Sequence, residues 1–190
     1  MNLVIFGPPG AGKGTQSSFI AKKFNLYQLS TGEILRNEIK NNTNLGKDIS
    51  SIINLGNLVT DEIVGSLIEK YLSDKTYQNK IIFDGYPRNL IQAQTLNELL
   101  IKYNQKIHIV LRLTVSLDTV IKRIKERSNL EKREDDSEEI AIKRYETYEK
   151  NIKPVIDFYK QSNLLKDING ESSIIEINNE ISALIESIKG

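Results

Sequence analysis

Apolar residues fall along this chain in two rhythms. Five short runs, residues 2–6, 27–29, 81–84, 107–113 and 173–177, are rich in Ile, Val and Leu and mostly lack polar alternation. That pattern predicts parallel strands covered on both faces. Between them, apolar positions recur every three or four residues. The clearest case runs from Thr60 to Leu72, with Ile63, Val64, Leu67, Ile68, Tyr71 and Leu72 on one face. Leu117 to Arg127, Ser137 to Gln161 and Glu180 to Lys189 read the same way. The alternation predicts an α/β fold, a doubly wound five-stranded parallel sheet, within a single domain spanning residues 1–190. Two stretches break the alternation. Residues 30–59 hold two helical patterns with no strand between them, and residues 127–136 are polar except for Leu130. Both read as excursions from the core, at the end of the sheet where open α/β folds bind ligands.

Chemistry enters at the end of the first run. Leu3-Val4-Ile5-Phe6 is followed by Gly7-Pro8-Pro9-Gly10-Ala11-Gly12-Lys13-Gly14-Thr15 and then by a helical stretch. Strand, glycine-rich loop, lysine and helix is the order of a phosphate-binding loop. Glycines let successive N–H groups turn toward one anion, and the helix adds its positive end. The usual loop ends Gly-Lys-Ser/Thr, with the hydroxyl on magnesium. Here Gly14 takes that place and Thr15 follows, so magnesium is expected to be held through water and phosphate oxygens.

A second group of residues surrounds this loop in the expected topology. Ser30 and Glu33 have capping-box spacing and read as a helix start, which would let Thr31 and Arg36 point together. Ile81-Ile82-Phe83-Asp84 ends a buried run with a carboxylate suited to magnesium or a magnesium-bound water. The turn Gly85-Tyr86-Pro87 would swing Arg88 back over the cleft. One helical turn beyond, the Gln92 amide can donate and accept at once, as the edge of an adenine ring requires. Taken alone, Gln92 would be a solvated helix residue.

Composition sharpens this picture. Positive charge is supplied by 19 lysines and only 7 arginines, so arginine is expected where a planar fork is needed. Arg36, Arg88, Arg123, Arg127, Arg133 and Arg144 fall within the stretches of interest; Arg112 lies in an apolar run and has no assigned role. Most of the mixed charge at residues 122–144 reads as a solvated face, but Arg123 and Arg127 share a helix face. A net charge of +1 gives no basic field for nucleic acid. The absence of cysteine excludes disulfides, thiolate zinc sites and cysteine catalysis. No apolar run is long enough to span a bilayer, and the chain enters its first strand without a leader, so a cytoplasmic protein is expected; nothing in the sequence demands an oligomer, so a monomer is expected. His108, the single histidine, lies within an apolar run and reads as structural.

These motifs, with Leu58-Val59-Thr60-Asp61-Glu62 and Arg133-Glu134-Asp135-Asp136, resemble in their order the adenylate kinases, the short-lid branch of the nucleoside monophosphate kinases. The resemblance covers essentially the whole chain. It implies magnesium-dependent, reversible phosphoryl transfer, ATP + AMP giving two ADP, with residues 30–59 the AMP-binding excursion and 127–136 the lid. Gly10, Ala11, Gly12, Lys13, Gly14 and Thr15 would wrap the phosphates of ATP, and backbone near Gly170 to Ser172 would meet its base. Thr31, Arg36, the backbone of Asn57, Leu58 and Val59, Gly85, Tyr86, Pro87, Arg88 and Gln92 would hold AMP. Arg123, Arg127, Arg133 and Arg144 would surround the transferring group, Arg127 on the ATP side and Arg133 and Arg144 reaching the AMP side. Asp135 and Asp136 would bond across the cleft and hold the lid shut. Where relatives often place glycine before the lid arginine, Lys132 stands here. Five residues between Arg127 and Arg133 leave no room for the zinc-bearing lid of larger relatives. Two other readings stand beside this one: a UMP/CMP kinase on the same fold, which the pairing of Thr31 with Gln92 disfavours, and a nucleotide-binding switch without chemistry. A GTP switch would need an Asn-Lys-x-Asp string, which does not occur.

Overall fold

The computed structural model describes residues 1–131 and 136–189. Five strands form one parallel sheet in the order β2-β3-β1-β4-β5: β1 Asn2–Phe6, β2 Tyr27–Ser30, β3 Ile81–Asp84, β4 Ile107–Thr114 and β5 Leu165–Asn169. Every residue of β1 is buried, and its side chains alternate between two cores. Val4 and Phe6 pack on one face beneath helices α4 (Asp61–Ser73), α5 (Leu90–Lys102) and α7 (Glu138–Gln161). Leu3 and Ile5 pack on the other beneath α1 (Lys13–Phe24), α6 (Leu117–Glu131) and α8 (Ile174–Lys189). Apolar side chains on both faces explain the unbroken apolar runs. The doubly wound sheet is as the sequence predicts.

The excursion after β2 consists of α2 (Thr31–Lys40) and α3 (Asn44–Asn54), two helices with no strand between, as expected. They meet closely, because a Cβ on Gly46 would lie 2.1 Å from the carbonyl oxygen of Glu38. Ser30 stands at the start of α2, but its hydroxyl makes no capping bond, so the spacing with Glu33 marks the helix start without forming the box.

The fifth strand differs from the expectation. Residues 173–177 are not a strand; they open α8, and the strand is Leu165–Asn169. β5 pairs only with β4, and Lys166, Asp167 and Asn169 are exposed. An edge strand with one wet face lacks the apolar run on which the reading relied. The stretch 127–136 also begins as helix, since α6 continues to Glu131.

Candidate active site

A cleft of about 1120 Å³ opens at the carboxyl ends of β1, β2 and β3, where Phe6, Ser30 and Asp84 meet its wall. Gly7 to Gly12 link β1 to α1 along its floor. A Cβ at Gly7 would lie 2.5 Å from the Leu113 carbonyl oxygen, so the loop can pass β4 only as glycine. Gly12 caps α1 with φ of 91°, in the left-handed region. The Lys13 ammonium donates to the carbonyls of Gly7 and Pro8, each at 2.8 Å. Burial lowers its pKa from 10.5 to about 7; Asp84 opposes the shift, while Arg88, Arg144 and Arg127 add to it. Gly10, Ala11, Gly14 and Thr15 line the cleft around it.

Asp84 ends β3 facing this loop and is 5 % exposed. Burial pushes its carboxyl above the ordinary range, against the pull of Lys13, a hydrogen bond from Gln28 and the charge of Arg88. The Gln28 amide donates to Asp84 Oδ2 at 2.9 Å. Sequence reasoning missed Gln28; the one signal was a polar residue inside the short run 27–29. No group of three or more His, Asp or Glu that could hold a metal occurs among the described residues. Magnesium takes one or two carboxylates plus phosphates and water, and a single buried carboxylate beside a phosphate loop fits that habit.

On the other side of the cleft, Thr31 donates to the Gly85 carbonyl at 3.3 Å and is 2 % exposed. Arg36 and Arg88 converge over Gly32, whose Cβ would sit 3.3 Å from Arg36 Nη1 and 3.5 Å from Arg88 Nη2. Arg88 is held by its Nε donating to the Gly85 carbonyl at 2.7 Å. Its backbone N–H donates to Gln92 Oε1 at 2.8 Å. Asn57, Leu58, Val59, Gly85, Tyr86, Pro87 and Gln92 line the same wall. The structure thus gathers these residues from α2, the segment after α3, the β3–α5 loop and α5.

Helices α6 and α7 bring the remaining arginines. Arg123 donates to the carbonyl of Gly170 at 2.8 Å and, more weakly, to that of Gly10 at 3.5 Å. Arg127 forks onto Asp136, its Nε donating at 2.7 Å, and Arg144 Nη1 lies 3.6 Å from the same carboxylate. Asp136 therefore ties together α6 and α7, on either side of it, where an arm reaching across the cleft was expected. Arg133 and Asp135 lie outside the described residues. Ser172 lines the cleft as expected, joined by Ile174 and Ile177 of the first turns of α8. Those two apolar groups were hidden by the strand assignment.

Arg112 and His108 lie outside this cleft. Arg112 forks onto Asp167 at 2.6 and 2.7 Å, pairing the registered neighbours of β4 and β5. His108 Nδ1 accepts from the backbone N–H of Asn2 at 3.1 Å, and burial lowers its pKa.

The sequence pattern of the adenylate kinase family matches residues 5–164. The chain is 42 % identical over 212 aligned positions to an adenylate kinase of Pelagibacter ubique, covering 98 % of this chain and all of the relative. It is 41 % identical over 179 positions to an adenylate kinase of Leptospira biflexa, covering 94 % and 96 %. With an adenylate kinase of Fusobacterium nucleatum it shares 38 % over 207 positions, covering 97 % and 98 %.

Proposed function

The chain belongs to the adenylate kinase family, and we propose that the cleft described above carries out the family reaction, ATP + AMP ⇌ 2 ADP, with the residues gathered there in the following roles. Gly10 to Thr15 take the ATP phosphates on backbone N–H groups and the α1 terminus. Ser172, Ile174 and Ile177 offer the ATP base a half-apolar rim, and Thr31, Gln92 and the backbone of Asn57 to Val59 receive the AMP base. Arg36 and Arg88 grip the AMP phosphate between them.

The attacking atom is an anionic phosphate oxygen, so the step needs no general base. Catalysis is then alignment and charge compensation. Lys13, Arg88, Arg123, Arg127 and Arg144 supply fixed positive charge around the space between the two halves, and Arg133 is assigned there by the family pattern. Magnesium, held beside Asp84 through water, would neutralise the ATP phosphates when bound. Asp136, by fixing Arg127 and Arg144, spares the reorganisation of two long side chains. One chain supplies every group invoked, which favours a monomer.

The observation that carries this reading is the convergence of Arg36 and Arg88 on Gly32, across one cleft from Lys13. One bound nucleotide has no use for both clusters; a donor and an acceptor do. The test supplies ADP and Mg²⁺ and measures ATP and AMP formed. The wild-type chain should interconvert them, and Arg88→Ala should slow turnover by about 10³-fold or more with its melting temperature little changed. Near-normal turnover in folded Arg88→Ala would remove Arg88 from the site.

A further inference from the structure

Gln92 is 2 % exposed and lines the cleft, yet half of its amide is already engaged. Its Oε1 accepts from the backbone N–H of Arg88 at 2.8 Å, and its Nε2 donates to Asp61 Oδ1 at 2.8 Å. The same Asp61 oxygen accepts from Asn89 Nδ2 at 2.9 Å, and Asn89 Oδ1 accepts from the Gln92 backbone N–H at 2.8 Å. A closed ring of hydrogen bonds therefore joins the first residue of α4 to the start of α5. A primary amide has two donors and two acceptor lone pairs. One of each is spent here, leaving one N–H and one lone pair. Their order is fixed by chemistry: an ionised carboxylate only accepts, and a backbone N–H only donates. Turning the amide over would set oxygen against oxygen at Asp61 and N–H against N–H at Arg88, both buried and both costly.

We infer that Asp61, through Gln92, selects the base of the phosphoryl acceptor, favouring a 6-aminopurine over a 6-ketopurine. A 6-aminopurine presents a donor at its amino group and an acceptor at N1; a 6-ketopurine presents the reverse. An amide held in one orientation matches the first and leaves like groups facing each other with the second. Asp61 itself need not touch the nucleotide: it is a positioning residue, set just past the Asn57–Val59 wall. Its carboxylate lies at the amino end of α4, where the helix dipole favours negative charge. The inference rests on the reading of Gln92 as the group that meets the acceptor base.

The experiment measures kcat/KM with adenosine monophosphate and with inosine monophosphate, at saturating ATP, for the wild type and three variants. Asp61→Ala removes the acceptor at Gln92 Nε2 and leaves only the Arg88 N–H to orient the amide, so the adenosine-to-inosine ratio should fall by about tenfold or more, with KM for ATP unchanged. Asp61→Asn retains an oxygen acceptor and should keep the ratio within about threefold of wild type. Gln92→Ala should abolish the preference. If Gln92→Ala leaves the preference intact, the base-site reading itself fails. If Gln92→Ala removes it but folded Asp61→Ala does not, or if Asp61→Asn loses as much as Asp61→Ala, the inference about Asp61 alone is overturned.

Discussion

Lys13 is the residue whose chemistry depends most on what fills the cleft. In the free chain its ammonium is crowded by burial and by three arginines, and its pKa lies near 7. Phosphate oxygens would replace that repulsion with attraction and restore the charged form. Nucleotide binding at pH 8 should therefore take up a proton, and affinity should fall as pH rises from about 7 toward the ordinary lysine value of 10.5. Without nucleotide the sign reverses. The unfolded chain binds that proton more tightly, so this group makes the free fold more stable as pH climbs through the same window. Calorimetry of ATP binding at pH 8, in two buffers of different ionisation enthalpy, should show the uptake. It should vanish in Lys13→Met; buffer-independent heats in the wild type would refute the linkage. At this scale the chain was legible wherever a residue sits at fixed spacing from a turn, as Lys13, Arg36, Arg88 and Gln92 do. It was illegible wherever a side chain acts on another from a distant element. Nothing in the sequence near Gln28 announces Asp84, and nothing near Asp61 announces Gln92, because such bonds follow from topology. Arg112 is the intermediate case: scarcity of arginine implied a fork, and only strand register reveals Asp167 as its partner.

Among the elements, the β5–α8 pair shows how one signal can mask another. Ile174, Ile175 and Ile177 form an apolar, β-branched cluster that favours strand by composition, yet Ile175 is 72 % exposed on a helix. What decides the matter is Ser173. Its hydroxyl accepts from the Glu176 N–H at 3.3 Å, while the Glu176 carboxylate accepts from the Ser173 N–H at 2.9 Å. This reciprocal capping box was visible as Ser-x-x-Glu in the sequence and outweighs weak strand propensity. The earlier Ser30–Glu33 pair has the same spacing and forms no cap, so spacing alone does not guarantee the bond. Ser173→Ala should destabilise the fold by about 1 kcal/mol, measured by urea unfolding at unchanged slope. Because α8 carries Ile174 and Ile177 into the cleft, the same variant should raise KM for ATP more than KM for AMP. An unchanged midpoint would mean that the cap contributes nothing to α8.

For the whole molecule, the sheet order puts the phosphate loop at its centre, beside the strand that ends in Asp84. The excursion α2–α3 walls one side of the cleft, and the arginines of α6 and α7 close on the other. Neither cluster is contiguous in sequence; winding helices over both faces of one sheet is what sets them facing each other. That arrangement was legible early, since alternating runs and helical patterns specify a doubly wound sheet, and ligands bind beyond its carboxyl ends. The central claim is that donor and acceptor nucleotides lie end to end in this one cleft. Calorimetric titration with diadenosine pentaphosphate, two adenosines joined by five phosphates, tests it most directly. One molecule should bind per chain and should exclude ATP and AMP together. A complex that still binds AMP with undiminished affinity would contradict the claim.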